Sequence, residues 1–471
     1  MLAATLLAGC GDDAPATGSA TTSEPATTAA ATPGPTPSTT STTAAPAGPT
    51  VVWRETLSLG STVSVRHLAV SNGVFLASTE ADFRRPGEVT ISIFLSPDGE
   101  NWSEVELPPE DFADVAFFEM GGGPAGFIAT GARIDDSGGA AGFYVWTSPD
   151  GEEWSSSELV LSTVPEPASP FIFNAIDSPA VGATPTHFVA IAEVRRNFDV
   201  AAILDAYAPN FEWPEFASMG TETLPNGDVR LTIGGEGGND FVATFSELGI
   251  DSDEMPIGDA GSDFISLAMG SVLWTSANGV DWMESRGPEV SSTSPLASQL
   301  AVDVTTAGLF VHCHDYLTEE STAWHSADGS NWVEVDLPGT SVADWSGGLY
   351  SFDQRGHLWI SADGASWTNR AGPEAMADAR DLMPTAGTPN SPIAVVGIRP
   401  DAAWQDATVP ESWVAVSSDG ATWWEARGVE AFGMPVWPEA VASEGDRIVI
   451  GLVGEPQSAD PYSSLWLGTA G

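Results

Sequence analysis

From Val51 onward, short apolar runs alternate with polar, glycine-rich turns, and each run has the length of a strand rather than of a helix. Phe143-Tyr144-Val145-Trp146 and Ser271-Val272-Leu273-Trp274 are two such runs, and Trp332-Val333-Glu334-Val335 opens a third on the far side of a turn. Upstream lie others, including Asp114-Val115-Ala116-Phe117-Phe118 and Gly126-Phe127-Ile128-Ala129-Thr130. The spacing predicts four strands per repeat. Residues 332–367 hold the minimal unit, with Ser341-Val342-Ala343-Asp344, Leu349-Tyr350-Ser351-Phe352 and His357-Leu358-Trp359-Ile360 before the next turn. Only residues 199–207 read as a helix within this pattern.

The turns themselves repeat. Ser96-Pro97-Asp98-Gly99-Glu100-Asn101-Trp102 has counterparts at residues 148–154, 276–282, 326–332, 361–367 and 417–423, with Asn278 in place of aspartate in one of them. Asp-Gly and Asn-Gly supply hairpin residues that tolerate positive φ, and the Ser and Asp side chains can bond to the turn backbone. The tryptophan then begins the next strand with a ring able to wedge between sheets. Four-stranded repeats of this kind are blades of a β-propeller. The motif resembles the Asp-box of BNR-repeat propellers, whose best-known members are sialidases, although it is one residue shorter. That resemblance implies an all-β fold in which the box is a structural turn remote from the site.

Six boxes account for six blades, and the chain ends supply a seventh. Arg447-Ile448-Val449-Ile450-Gly451 and Ser464-Leu465-Trp466-Leu467 read as second and third strands with no fourth after them, whereas Val51-Val52-Trp53-Arg54-Glu55 has the missing character. The expectation is a seven-bladed propeller over residues 51–471 whose last blade is completed by the N-terminal strand, which removes a sheet edge. Residues 196–268 read as an insertion between the second and third strands of one blade. The alternative is eight blades, with Asn210-Phe211-Glu212-Trp213 as an eroded box.

Composition narrows the partners. The net charge is −50, from 65 acidic and 15 basic residues, and every basic residue is arginine. Nucleic acid and anionic lipid are poor partners for such a chain, because the cations that would neutralise phosphate are missing. A lysine-free acidic surface also fits a salt-adapted protein or a codon-biased genome. The two cysteines, Cys10 and Cys313, predict no disulfide, and Cys313 reads as a buried small hydrophobe. Met1 to Gly9 is apolar and ends Leu7-Ala8-Gly9-Cys10, which resembles the lipobox of bacterial lipoproteins. The resemblance implies a signal peptide over residues 1–9, a lipidated Cys10, and a membrane-anchored protein on the extracytoplasmic face. Residues 10–50, rich in Ala, Thr, Pro and Ser, read as a disordered tether. A monomer is expected.

Candidate chemistry is sparse. Loops between second and third strands lie on the face opposite the boxes, and Arg84, Arg85, Arg133, Arg195, Arg196, Arg355 and Arg399 fall at such connections. They are candidates for gripping a carboxylated or sulfated ligand; alternatively each pairs with a nearby acid, as Asp135 or Asp136 would with Arg133. His312 and His314 share one strand face, and with His325 on the neighbouring strand they are weak metal candidates. No cofactor is expected. Sialidase activity would require an arginine triad and a Tyr/Glu pair; Val65-Arg66-His67-Leu68 does not match the early arginine motif, and none of the five tyrosines announces a nucleophile. The sequence therefore names no catalytic residue. It points to a non-catalytic binding or scaffold module for a glycan or protein, with a glycoside hydrolase using carboxylates on the loop face as the alternative.

Overall fold

The computed structural model describes residues 51–471 apart from 61–62, 82–90, 109–111, 113–114, 135–139, 166, 171, 210–217, 235–239, 252–265, 289–297, 316–319, 340, 354, 375–379, 385–386, 400–410, 428–430, 433–435, 455–462 and 471. Seven antiparallel four-stranded sheets account for most of these residues. Sheet I begins on strand Val63–Ser71, II on Val115–Gly123, III on Ile172–Ala183 and IV on Ser298–Thr305. Sheets V, VI and VII begin on Val342–Trp345, Arg380–Pro384 and Val436–Glu444. Strands run in chain order within sheets I to VI. Sheet VII takes its fourth strand from the N-terminal Val51–Gly60, which pairs with Ser463–Ala470 in a register that sets Trp53 opposite Gly468. This all-β arrangement is consistent with a β-propeller.

Burial follows position within a sheet. The second strand of sheet III, Phe188–Phe198, is buried almost along its whole length, because both of its faces meet other sheets. The short fourth strands, such as Thr368–Arg370, are exposed. Apolar clusters fill the junctions between successive sheets: Leu76 and Ile93 of sheet I with Phe127 and Trp146 of sheet II, and likewise around to Val449 of sheet VII with Phe75 of sheet I. The tryptophan that follows each repeated turn packs at the junction with the preceding sheet. Trp102 joins the VII–I cluster and Trp154 the I–II cluster, while Trp53 of the N-terminal strand fills the equivalent place between sheets VI and VII. Cys313 is buried between sheets III and IV.

The turns owe their shape to one carboxylate. Asp98 Oδ1 accepts the Glu100 and Asn101 backbone N–H groups, each at 2.8 Å, and the Ser96 hydroxyl at 3.0 Å, while Trp102 Nε1 donates to the Gly99 carbonyl at 3.1 Å. Gly99 is needed twice over: its φ is +71°, and a Cβ there would lie 3.0 Å from Leu467 and Val449 of the neighbouring sheet. In sheet III, Asn278 Oδ1 accepts the equivalent N–H groups at 3.0 and 2.9 Å. Bonds to backbone N–H groups hold the carboxyls of Asp98, Asp150, Asp328, Asp363 and Asp419 below the usual aspartate range. Their contribution to stability is complete above the unfolded value of about 3.9 and is lost as pH falls through the lower folded-state values. Asp98→Asn is expected to melt below the parent at neutral pH, because the charge is lost and an amide NH2 would face the Asn101 Nδ2 donor, and the difference should narrow on acidification to about pH 3; thermal unfolding at both pH values checks this.

Sheet III carries the insertion. The chain leaves it after Phe198 and returns at Ser266, not at the expected 196 and 268, because Arg196 and Asn197 still pair with Leu267 and Ser266. The helix Val200–Tyr207 is capped by Asp199, whose side chain accepts the Ala202 N–H at 2.9 Å, and it buries Ile203 and Leu204. A three-stranded sheet follows (Ser218–Thr223, Val229–Gly234, Phe241–Thr244), then the short helix Phe245–Leu248. Leu231, Ile233, Phe245 and Leu248 close a separate core over Phe198. The supposed eroded box at residues 210–213 lies outside the described residues.

Candidate functional site

The first strands of successive sheets lie side by side, and a cavity of about 730 Å³ opens among them. All seven sheets contribute to its lining, sheet VI through residues 387–390 just after its first strand. The cavity reaches the turns between first and second strands, at Asn72, Pro124, Thr306 and Pro389. In an antiparallel sheet those turns share a face with the third-to-fourth turns. The cavity thus approaches the box face, whereas sequence reasoning directed the search to the opposite one. Much of that opposite rim lies outside the described residues.

Two charged side chains that line this space, Arg66 and Glu439, sit where the strand register slips. The first strands of sheets VII, I and II each carry one extra residue, namely Glu439, Arg66 and Phe118. Each lies five positions before the pair that closes the hairpin: Glu444↔Arg447, Ser71↔Val74 and Gly123↔Gly126. Sheet III slips at the same level, at Ser178 and Pro179. A bulge re-aims its side chain and sharpens the local twist. Sheets IV and V keep an unbroken register.

Where there is no bulge there is a clasp. Asp303 of sheet IV accepts the Val342 N–H at 2.7 Å, the Ser341 hydroxyl at 3.3 Å and a His312 Nε2 contact at 3.1 Å. Asp344 of sheet V reaches back to accept the Thr306 N–H at 2.8 Å and its hydroxyl at 2.6 Å. These two carboxylates are committed to joining sheets.

Four groups of the lining have shifted protonation, and one is Asp344, whose carboxyl is raised by burial against the opposing bonds from Thr306. Glu119 is pushed up to about 7, chiefly because the surrounding protein displaces water from around the carboxylate, with the Asp303 charge adding to the shift. Its side chain is open to the cavity, so confinement among the strands, rather than loss of all solvent contact, is the cause. Glu439 is also raised by burial, against the opposing pull of Arg66. His67 is held down at about 4 by burial, is bonded to the Ser78 hydroxyl through Nδ1 at 3.0 Å, and reaches the Phe118 backbone of the next sheet.

The Glu119 shift has a sign that can be checked. The folded state holds a proton that the unfolded chain releases from about 4.5 upward, so this group's contribution falls as pH rises toward 7 and stays unfavourable above it. Glu119→Gln is expected to be more heat-stable than the parent above neutral pH, the advantage vanishing in mild acid; melting curves across that range test it.

Among the described residues, the candidate arginines have separate surroundings. Cys10, Arg84 and Arg85 lie outside the described residues, as does the side chain of Arg399. Arg133 stacks over the Tyr144 ring at 4.8 Å, and Arg355 is exposed. Arg195 is buried and donates to Glu193 Oε2 from Nε at 3.1 Å and from Nη2 at 2.7 Å. Arg196, also buried, donates to Asn174 and to the Pro165 carbonyl. The guanidinium groups of these last two are thus engaged inside the protein. His312 turns to Asp303, whereas His325 bonds the Ala307 carbonyl at 2.9 Å and stacks on Phe310; the His314 side chain is outside the described residues. Among the described residues, no cluster of three or more His, Cys, Asp or Glu is placed to hold a metal.

No protein-family model matches the chain, and no curated protein matches it. Solved structures do. A protein of unknown function from Dyadobacter fermentans aligns over 90% of this chain and 98% of its own, at 11% identity and a TM-score of 0.35. An α-L-arabinanase of Penicillium chrysogenum complexed with arabinobiose aligns over 88% and 98%, at 11% identity and 0.37. A Trypanosoma rangeli sialidase aligns over 87% of this chain at 10% identity and 0.38; the chain spans about 55% of its length.

Sequence reasoning missed Glu119 and Glu439 as residues of the cavity lining. The signal present was a charged residue interrupting an apolar strand a fixed distance before a hairpin turn, as in Phe118-Glu119-Met120 and Pro438-Glu439-Ala440. That signal acquires meaning only once the register slip is seen.

Proposed function

We propose that this protein is an exported, lipid-anchored propeller that binds a polar ligand, a glycan or a segment of a protein, in its central cavity without transforming it. In this reading the seven four-stranded sheets are blades, the pairing of residues 51–60 with the C-terminal strand closes the ring, and Cys10 with residues 10–50 tethers a monomer to the membrane. The repeated turns, similar to Asp-boxes, serve the fold. The observation that carries the binding reading is the cavity itself: about 730 Å³, within the size range of small-ligand sites, and lined from every sheet. Its lining offers acceptors in Glu439 and Glu444, a guanidinium in Arg66, and in Glu119 a carboxyl that can donate below about pH 7 and accept above it, which suits a ligand rich in hydroxyl groups. With acidic groups outnumbering basic ones there, a neutral ligand is favoured over an anionic one.

One observation favours a second reading. A carboxyl held at about 7, as in Glu119, has the protonation of a general acid in glycoside hydrolysis. A glycan-array screen of the full chain beside a fluorogenic glycosidase panel separates the two. Retention of an oligosaccharide without turnover supports binding; turnover abolished in Glu119→Gln makes the protein a hydrolase. Neither binding nor turnover removes the glycan from both readings.

A further inference from the structure

Glu119 has a setting unlike that of Asp303, Asp344 or Glu439. The two aspartates are held by the bonds that join sheets IV and V, and Glu439 has the Arg66 guanidinium near enough to pull its carboxyl down. The charge that acts on Glu119 is Asp303, and it repels. Asp303 cannot turn away, because the Val342 N–H at 2.7 Å, the Ser341 hydroxyl at 3.3 Å and His312 Nε2 at 3.1 Å fix it. On its own strand Glu119 has the Met120 N–H, which favours the charged form without offsetting burial. The residue paired with it on the second strand is the uncharged Thr130.

The other titratable or charged groups around the cavity offer Glu119 little relief. Among the described lining, sheet I brings Arg66 and His67, sheet IV Asp303 with His312 behind it, sheet V Asp344, and sheet VII Glu439 and Glu444, while sheets III and VI bring none. His67, held at about 4, is neutral at physiological pH. An ionised Glu119 therefore depends on solvent in the cavity, and a ligand that fills the cavity takes that solvent away. A protonated Glu119 carries no such penalty and offers an O–H to a ligand oxygen.

From this arrangement we infer that binding in the cavity is linked to a proton on Glu119: a neutral, hydroxyl-rich ligand is taken up with the protonated carboxyl and released when that proton is lost. The inference rests on the glycan reading above and gives that site a regulation. Linkage is reciprocal, so a seated ligand raises the carboxyl further. With Glu119 at about 7, its protonated fraction falls about tenfold between pH 6 and pH 8, and an affinity that needs the proton falls with it.

The test is calorimetric titration of the full chain with cellobiose, xylobiose, arabinobiose and mannobiose at pH 6 and pH 8, each in two buffers of different ionisation enthalpy. At least one is expected to bind, about tenfold more tightly at pH 6, with proton uptake showing as a buffer-dependent heat at pH 8. The glutamine amide keeps a donor, so Glu119→Gln should bind with one affinity at both pH values, whereas Glu439→Gln should keep the tenfold dependence. If a disaccharide binds the parent equally at both pH values, or if Glu119→Gln keeps the dependence or loses binding, the proton link is overturned while the cavity reading stands. If no disaccharide binds the parent, the glycan reading falls and takes the link with it. A second measurement needs no ligand: in protein labelled with carbon-13 at glutamate Cδ, the resonance lost in Glu119→Gln is expected to titrate near pH 7. Titration of that resonance in the ordinary glutamate range overturns the inference whatever binds.

Discussion

Valine at Gly123 is expected to abolish most of the folded protein, with a loss above about 4 kcal/mol, the range reserved for disrupted packing that cannot relax. A Cβ at this position would stand 1.7 Å from the Ala183 carbonyl oxygen and 2.8 Å from its carbon. The obstacle is backbone of the neighbouring sheet, so no rotamer change relieves it. Gly122 meets Val70 in the same way, at 2.3 Å from its carbonyl oxygen, and the run Gly121-Gly122-Gly123 thus lets the first strands of sheets I, II and III approach closely around the cavity. Gly73 is the control. Its φ is +85°, but a methyl added there would meet nothing within 4 Å, so Gly73→Ala should cost only about 1–2 kcal/mol, the penalty for a left-handed side chain. Soluble yield and thermal unfolding of the two variants should separate steric exclusion from backbone preference; equal losses would mean that the close approach at Gly123 is not what sets the spacing.

The second large effect concerns Arg195. Its partner Glu193 is 1% exposed, and removing the guanidinium leaves a carboxylate in the middle of sheet III. Breaking a buried ion pair on one side costs roughly 3–5 kcal/mol, whereas replacing both partners by apolar groups of similar volume is often close to neutral. Arg195→Ala should therefore lower the melting temperature sharply, and Glu193→Leu combined with Arg195→Met should recover most of it. A mild single variant would mean that Arg195 is not needed inside the sheet and would return it to the pool of residues free to meet a ligand.

These two residues also mark how far the sequence could be read. The repeated turn was legible because its chemistry is local: a Ser, an Asp, a Gly and a Trp within seven positions satisfy one another, and the six copies bond alike in their Asp or Asn oxygens. The strand runs were legible for the same reason, since alternation and turn residues act over a few positions. The N-terminal run around Trp53 was placed beside the C-terminal strand because the repeat lacked one member, and it pairs there. The helix expected over residues 199–207 forms at Val200–Tyr207, with Asp199 as its cap.

The arginines were harder. Arg195 and Arg196 sit near a loop in the sequence, and a loop position suggests exposure. Sheet III extends its second and third strands as far as Phe198 and Ser266, which carries both arginines into the interior. The charge found its partner two residues away, at a position no periodicity singles out. Glu119 was hidden for a related reason: one acid among 65 carries no mark in the sequence, and its shifted protonation arises from strands that are distant along the chain.

By itself the sequence determined the strand unit, its turn, the pairing of the chain ends and the strongly acidic balance of charge, because each depends on neighbours along the chain or on bulk composition. Only the tertiary structure decided which acids join sheets and which face the cavity, where the register slips, and which glycines admit another backbone. Those properties belong to contacts between residues about forty or more positions apart, as Asp303 and Val342 or Gly123 and Ala183 are, and they take effect only when the sheets pack on one another.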